Sequence, residues 1–298
     1  MLVQNSTNIN LLYFAGMKQL IFNRRKYGRE LLIDAVSEEE MEFIDDILQP
    51  SFYILLFVKK GNGRYQLDLE DFMLKNNMAI FIRPGSINIV KDITIEQGRM
   101  LVFEGAFLDE FFVDKNFIYK FNCFHSQDFP SFLPIDMRQF LKYYNMAAEI
   151  QEEILAMTGD SHHILRSLIY YLLIRMDQHY AERYGAPRSN LADTKMLEFQ
   201  KLLFSTIREN KNVEGYARQL GISRVHLNKL CRQYYSKTAS QVIKEHLITE
   251  IKKELKYSKK DFSEIAYAFN FSAPSNFSRF VKQMTGLTPQ EFIRPLSN

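Results

Sequence analysis

The apolar positions of this chain change period along its length. From residue 52 to residue 103 they fall in short runs bounded by Gly, Pro and charged clusters. Residues 52–58 (FYILLFV) are aromatic, aliphatic and β-branched without a polar break, the pattern of a buried strand, and residues 59–63 (KKGNG) predict the turn that ends it. Residues 65–69, 79–82, 87–90, 92–95 and 100–103 predict further short strands, with Pro84-Gly85 as a second turn. Strands of this length and spacing predict a β-barrel or sandwich. Past Gly105 the period moves toward that of a helix. Residues 106–117 predict a short helix through Phe107, Leu108, Phe111 and Phe112. Residues 133–184 predict two longer ones separated at Gly159-Asp160. Phe140, Tyr143, Tyr144, Ala147 and Ile150 are the apolar stripe of the first; Ile164, Leu168, Tyr171, Leu172 and Met176 are that of the second. Residues 184–190, with Gly, Pro and Ser after a long helix, predict a linker.

Beyond the linker the pattern repeats itself. Ala217, Ile222 and Ser223 recur 49 residues later as Ala266, Phe271 and Ser272. After one inserted residue, Leu227, Leu230, Thr238 and Val242-Ile243 recur at an offset of 50 as Phe277, Phe280, Thr288 and Phe292-Ile293. Each copy has the mechanics of a helix-turn-helix: a small residue, Ala217 or Ala266, for close helix approach, then a short turn, then a second amphipathic helix. Leu227, Leu230 and Cys231 hold that helix to the core in the first copy, and Phe277, Phe280, Val281 and Met284 do so in the second. The opposite side is polar in both: Arg224, Asn228, Lys229 and Arg232, then Ser275, Asn276, Arg279 and Lys282. Arg, Lys and Asn side chains pair with base edges in a major groove; the alternative is a pair of hairpins with merely solvated faces. Residues 237–257 join the copies as a helix, with Val242, Ile243, Leu247, Ile251 and Leu255 inside. Asp261-Phe-Ser-Glu264 has capping-box spacing for the helix that follows.

Charge sharpens the division. Residues 190–298 carry 18 Lys+Arg and 10 Asp+Glu, a balance of +8, whereas residues 1–189 carry 20 and 25, a balance of −5. A basic back half suits a polyanionic partner. At 46% hydrophobic and 24% charged the chain is not disordered. Two cysteines exclude a disulfide scaffold and a Cys-rich zinc site. No apolar run approaches the roughly 20 residues of a membrane span, and the first twenty residues lack the pattern of a secretory signal. A reducing, cytoplasmic setting is expected.

Residues 195–294 resemble the DNA-binding domain of the AraC/XylS family of bacterial transcription regulators. Residues 264–282 (EIAYAFNFSAPSNFSRFVK) and 285–292 (TGLTPQEF) carry the resemblance. Three positions depart from the family pattern: Asn270 replaces a Gly, with positive φ still open to it; His246 replaces an Arg of the linker helix; Ala273 replaces a polar cap before Pro274. The resemblance implies two recognition helices in successive major grooves on one face of the duplex. Carried over by position, Val225, Asn228 and Lys229 face bases in the first copy, and Ser275, Asn276 and Arg279 do so in the second. Arg224, Arg232 and Lys282 are flanking phosphate contacts. Residues 52–103, with Arg83-Pro84-Gly85 between strands, are also similar to the cupin-type regulatory domain that precedes such DNA-binding domains. That similarity implies a small-molecule effector held in the barrel and dimerisation through the helices after it.

Other chemistry is thin. No histidine precedes His125, so the expected barrel lacks the imidazole ligands of a metal-dependent cupin enzyme. His162 and His163 are adjacent on a helix and diverge. Cys231 occupies an apolar position and Cys123 has no basic neighbour except His125. There is no Walker loop and no Rossmann fingerprint.

The expected fold is α+β. A cupin-like regulatory β-barrel occupies 1–130, a helical dimerisation segment 131–184, a linker 185–194, and an all-α AraC-type DNA-binding domain with two helix-turn-helix motifs 195–298. The expected function is a sequence-specific DNA-binding transcription regulator, not an enzyme, with no cofactor and no metal. Its expected partners are double-stranded DNA, a second copy of itself in a homodimer, a small-molecule effector met by Arg83, and RNA polymerase if it activates; no membrane is involved. The alternatives are a ligand-independent regulator whose barrel is only a dimerisation scaffold, and a cupin enzyme with a DNA-binding appendage.

Overall fold

The structure, a computed structural model, describes residues 9–14, 17–22, 24, 30–41, 47–109, 116–126, 128–186 and 194–293. The chain divides into two compact units, Met1–Ser189 and Asn190–Asn298. Most of the expected linker, residues 187–193, lies outside the described residues.

The front unit is a sheet with helices on one face. Among the described residues its strands are β1 (Ile9–Phe14), β2 (Met17–Phe22), β3 (Ile33–Ser37), β4 (Ile47–Pro50), β5 (Tyr53–Leu67), β6 (Glu70–Met73), β7 (Met78–Ile82), β8 (Asn88–Phe103) and β9 (Phe132–Pro134). The hydrogen-bonded path runs β1-β2-β4-β8-β5-β7-β9, with β3 on β8 and β6 on β5. It does not close on itself among the described residues. Among the described residues only β2–β4 is a parallel pair.

The centre of the sheet differs from the sequence expectation. Residues 59–63 do not turn the chain back. β5 runs through them and pairs with β8 from Tyr53↔Phe103 to Leu67↔Asn88, with register shifts at Val58/Lys60, Lys60/Gly61 and Asn62/Arg64. The shifts are bulges, which bend a strand without ending it. Gly63 sits there at φ +114°, and a Cβ on it would lie 2.3 Å from the Asp92 carbonyl oxygen. Likewise the three strands expected at 87–90, 92–95 and 100–103 are one strand, β8.

Alternation along these strands builds two cores. Leu55, Phe57, Phe81, Leu101 and Phe103 face the helices. Ile54, Leu56, Ile80, Ile82, Met100 and Val102 face the inside of the bent sheet. There they meet Leu20, Phe22, Leu48, Tyr65 and Phe72. Tyr65 stacks on Phe72, and Phe72 packs 4.4 Å from Phe132, ring centre to ring centre.

The helices begin with α1 (Gly105–Asp109), where 106–117 was expected, and α2 (Asn122–His125); residues 110–115 lie outside the described residues. Residues 133 and 134 belong to β9, and the long helices are α3 (Met137–Ala156) and α4 (Ser161–Tyr184). Asp136 caps α3 through the Gln139 N–H. The α3 stripe is buried as expected. On α4 the buried face is Leu165, Ile169, Leu172, Leu173, Met176 and Tyr180, rotated from the expected stripe. Leu172 is 0% exposed, whereas Ile164 and Tyr171 are 40% and 53% exposed and Leu168 is half-buried.

The back unit is all helix: α5 (Thr194–Thr206), α6 (Val213–Gln219), α7 (Arg224–Tyr235), α8 (Ala239–Tyr257), α9 (Phe262–Ala268), α10 (Pro274–Thr285) and α11 (Pro289–Ile293). One core joins both copies of the repeat, with Phe199, Ala217, Leu227, Cys231, Ile243, Ile251, Ala266, Phe277 and Val281 fully enclosed. His246, at the family's Arg position, is buried with its ring edge-on to Phe204 at 4.5 Å.

Candidate nucleic-acid interface

Each motif is assembled by local capping. Asn212 accepts the Gly215 N–H to start α6, and Asp261 with Glu264 forms the capping box of α9. The turns after these helices hold Gly221 at φ +65° and Asn270 at φ +54°, equivalent positions 49 residues apart. Asn270 therefore takes the conformation the family's Gly provides. Ser223 caps α7 through the His226 N–H at 3.1 Å. α10 has no side-chain cap: Ala273 is its N-cap residue, and Pro274 at the first position removes one of the donors a cap would serve. Ser272 instead accepts the Asn276 amide at 2.9 Å. Downstream, Thr238 with Gln241 caps α8, and Thr288 with Glu291 repeats the arrangement before α11.

The buried apolar face fixes which side of α7 and α10 points outward. Successive helical residues turn by about 100°. Leu227, Leu230 and Cys231 face the core, so Val225, Lys229, Arg232 and Gln233 point away from it. In α10 the equivalent set is Ser275, Arg279, Lys282 and Gln283. All eight are exposed, Val225 to 80%. Arg224 and Asn276 are exposed at the margin, and Arg224 Nε lies 3.6 Å from Glu214. Asn228 is placed differently from the other nominated residues. It is half-buried, its Oδ1 accepts the Ala239 N–H at 3.1 Å, and its Nδ2 donates to the Arg224 carbonyl at 3.0 Å. Gln233 and Gln283 were not nominated from sequence; their shared helical phase with Lys229 and Arg279 was the signal available.

A helix-turn-helix domain profile matches residues 216–295. The back unit carries an AraC-type helix-turn-helix domain. No curated protein matches the chain. Among solved structures, it is similar to a transcriptional regulator with an AraC-type DNA-binding domain from Chromobacterium violaceum: 26% identity, 33% of this chain and 88% of that one, TM-score 0.30. ToxT from Vibrio cholerae is 15% identical over 88% of this chain and 96% of its own, TM-score 0.39. The DNA-binding domain of AdpA, solved in complex with a target DNA, is 18% identical over 32% and 86%, TM-score 0.30.

Within the AraC-type domain a strap joins the copies. The loop after α5 reaches the turn between α9 and α10. Lys211 Nζ donates to the Asn270 carbonyl at 2.7 Å and lies 3.7 Å from the Phe271 ring centre. Asn270 Nδ2 donates back to the Glu209 carbonyl at 3.3 Å. Arg208 pairs with Glu254 at 2.6 Å and covers the Phe269 ring. Burial pushes Lys211 down to about 8.

Arg83, the nominated ligand cation, is mostly buried: its Nη1 donates to the Pro84 carbonyl at 3.4 Å, and its Nη2 lies 3.6 Å from Oδ2 of Asp68 in the turn between β5 and β6, where Asp68 also accepts the Ile87 N–H. Burial pushes the Cys231 thiol up to about 12 and the Cys123 thiol well above its ordinary range. Among the described residues no three His, Cys, Asp or Glu side chains converge as a metal site, and no helix is long and apolar enough to cross a membrane.

Proposed function

We propose that this chain is a transcription regulator that binds double-stranded DNA sequence-specifically, seating α7 and α10 in two successive major grooves. The observation that carries the reading is the same outward stripe at equivalent positions of two amphipathic helices: Val225, Lys229, Arg232 and Gln233 on one, Ser275, Arg279, Lys282 and Gln283 on the other. Lys229 and Arg279 read bases, joined by Val225, Ser275 and Asn276, while Arg224, Arg232 and Lys282 hold phosphates. The test is fluorescence anisotropy of the full chain with mixed-sequence duplex DNA across salt concentrations. Tight association that weakens steeply with salt supports the reading; salt-independent or absent association refutes it.

The front unit serves as a dimerisation scaffold in this reading. Ile164, Leu168 and Tyr171 follow one line of α4 outside its buried face, and a second copy covers them. The cupin-like sensor remains the competing reading. Against it stand the side chains that fill the inside of the bent sheet and the engagement of Arg83 with Asp68. Sedimentation equilibrium at micromolar concentration tests the dimer.

A further inference from the structure

We propose that Gln233 and Gln283 are base-reading residues of the two recognition helices, and that Asn228 is a positioning residue that fixes α7 to α8. The inference rests on the DNA-binding reading above.

Two independent observations carry it. First, Gln233 and Gln283 stand 50 residues apart at equivalent positions, both exposed, each one turn beyond an outward cation, Lys229 or Arg279. The outward stripe is Val-Lys-Arg-Gln in one helix and Ser-Arg-Lys-Gln in the other, so glutamine is its one unchanged member. A glutamine amide presents a donor and an acceptor side by side, the pattern that matches the N6 and N7 edge of adenine. Second, both ends of the Asn228 amide are engaged within the protein, on the Ala239 N–H and the Arg224 carbonyl. Ala239 is the first residue of α8, and its N–H is one of the donors a helix start leaves without an intrahelical acceptor.

The internal repeat supplies the control. The α7–α8 and α10–α11 junctions share the Thr cap and its Gln or Glu partner. Among their differences is one coupled pair. Asn228 and Ala239 become Ser278 and Pro289. Proline has no N–H, so the second junction needs no acceptor there. An asparagine stands where that donor exists and not where it is missing, as expected for a residue kept for the junction rather than for DNA.

The test uses the full chain and a random duplex library, with base preference read from the selected sequences and the melting midpoint measured for each variant. Gln233→Ala and Gln283→Ala should each lose preference at one base pair, by roughly 5- to 150-fold, with midpoints unchanged. Asn228→Ala should lower the midpoint by about 4 °C or more and leave the selected sequence intact. Adding Ala239→Pro to Asn228→Ser copies the second junction and should restore the midpoint. Glutamine variants that select the wild-type sequence overturn the reader assignment. An Asn228→Ala chain with an unmoved midpoint and a changed base preference overturns the positioning role, as does a double variant that fails to recover. A folded wild type that enriches no duplex overturns the DNA-binding reading and the glutamine assignment with it, while the midpoints still decide the role of Asn228.

Discussion

Leu172 and Tyr171 are neighbours in sequence with opposite fates, and truncating each one separates the core of α4 from its outer face. Leu172 is fully buried in the cluster that also holds Phe81, Ile169, Met176 and Tyr180. Leu→Ala at such a site forfeits the transfer free energy of the lost carbons and leaves a cavity, together about 2–5 kcal/mol depending on how far neighbours relax. Met176 is flexible enough to fill part of the space, so about 3 kcal/mol is expected. For a unit of this size each kcal/mol moves the midpoint by about 2–4 °C, giving a fall of roughly 6–12 °C. Tyr171→Ala removes a side chain from an exposed position and should change monomer stability by no more than about 0.5 kcal/mol. Scanning calorimetry of the full chain reads both, and sedimentation equilibrium reads assembly. Leu172→Ala should melt early but still dimerise below its melting midpoint, and Tyr171→Glu with Ile164→Glu should yield a folded monomer. A Leu172→Ala chain that keeps its midpoint yet dissociates would refute the assignment, because Leu172 would then face a partner and not the sheet.

Other expectations follow from charge and burial. The slope of log affinity against log salt should be about −3 or steeper if Arg224, Arg232 and Lys282 each neutralise a phosphate, and Arg232→Ala or Lys282→Ala should each make it shallower by about 0.9; unchanged slopes would remove these residues from the interface. Both thiols should resist a thiol reagent at pH 8 in the native protein and react after denaturation, since burial raises Cys231 to about 12 and holds Cys123 well above its ordinary range; rapid native labelling would contradict that burial. Lys211, lowered to about 8, makes the unfolded chain bind more protons between pH 8 and about 10.4. Its contribution to stability therefore rises with pH across that window, and urea denaturation should show wild type gaining on Lys211→Met between pH 8 and 10; a constant difference would refute it.

The back unit was legible because its signals are local. Helical period, capping residues and an internal repeat each lie within a few residues of the element they specify, and Asn270 at positive φ follows from the turn alone. The sheet was legible only in part. Gly61, Asn62 and Gly63 carry the composition of a turn, but here they form bulges, because β8 lies alongside and supplies the hydrogen bonds. No local signal carries that pairing. The short strands β4, β6 and β9 are held by their neighbours in the sheet rather than by runs of their own. On α4 the adjacent pair Tyr171-Leu172 supports two helical phases, and packing against the sheet selects Leu172 for the inside. Polarity nominates Asn228 as a reader, and its bond to the Ala239 N–H lies across a tertiary junction that no local signal carries.

The strap from Lys211 and Arg208 to the turn at Phe269, Asn270 and Phe271 makes the two motifs a caliper with locked jaws. The α8 helix and the shared core already join them; the strap adds a polar attachment from the loop before α6 and stiffens the hinge further. Under the proposed DNA-binding function, a pair built this way measures separation as well as sequence. One base pair inserted between the two contacted segments shifts the far segment by about 3.4 Å and rotates it by about a tenth of a turn. A hinged pair could follow that change, whereas a locked pair must strain itself or the duplex. The spacing between the two contacted segments should then be as invariant as the bases within them.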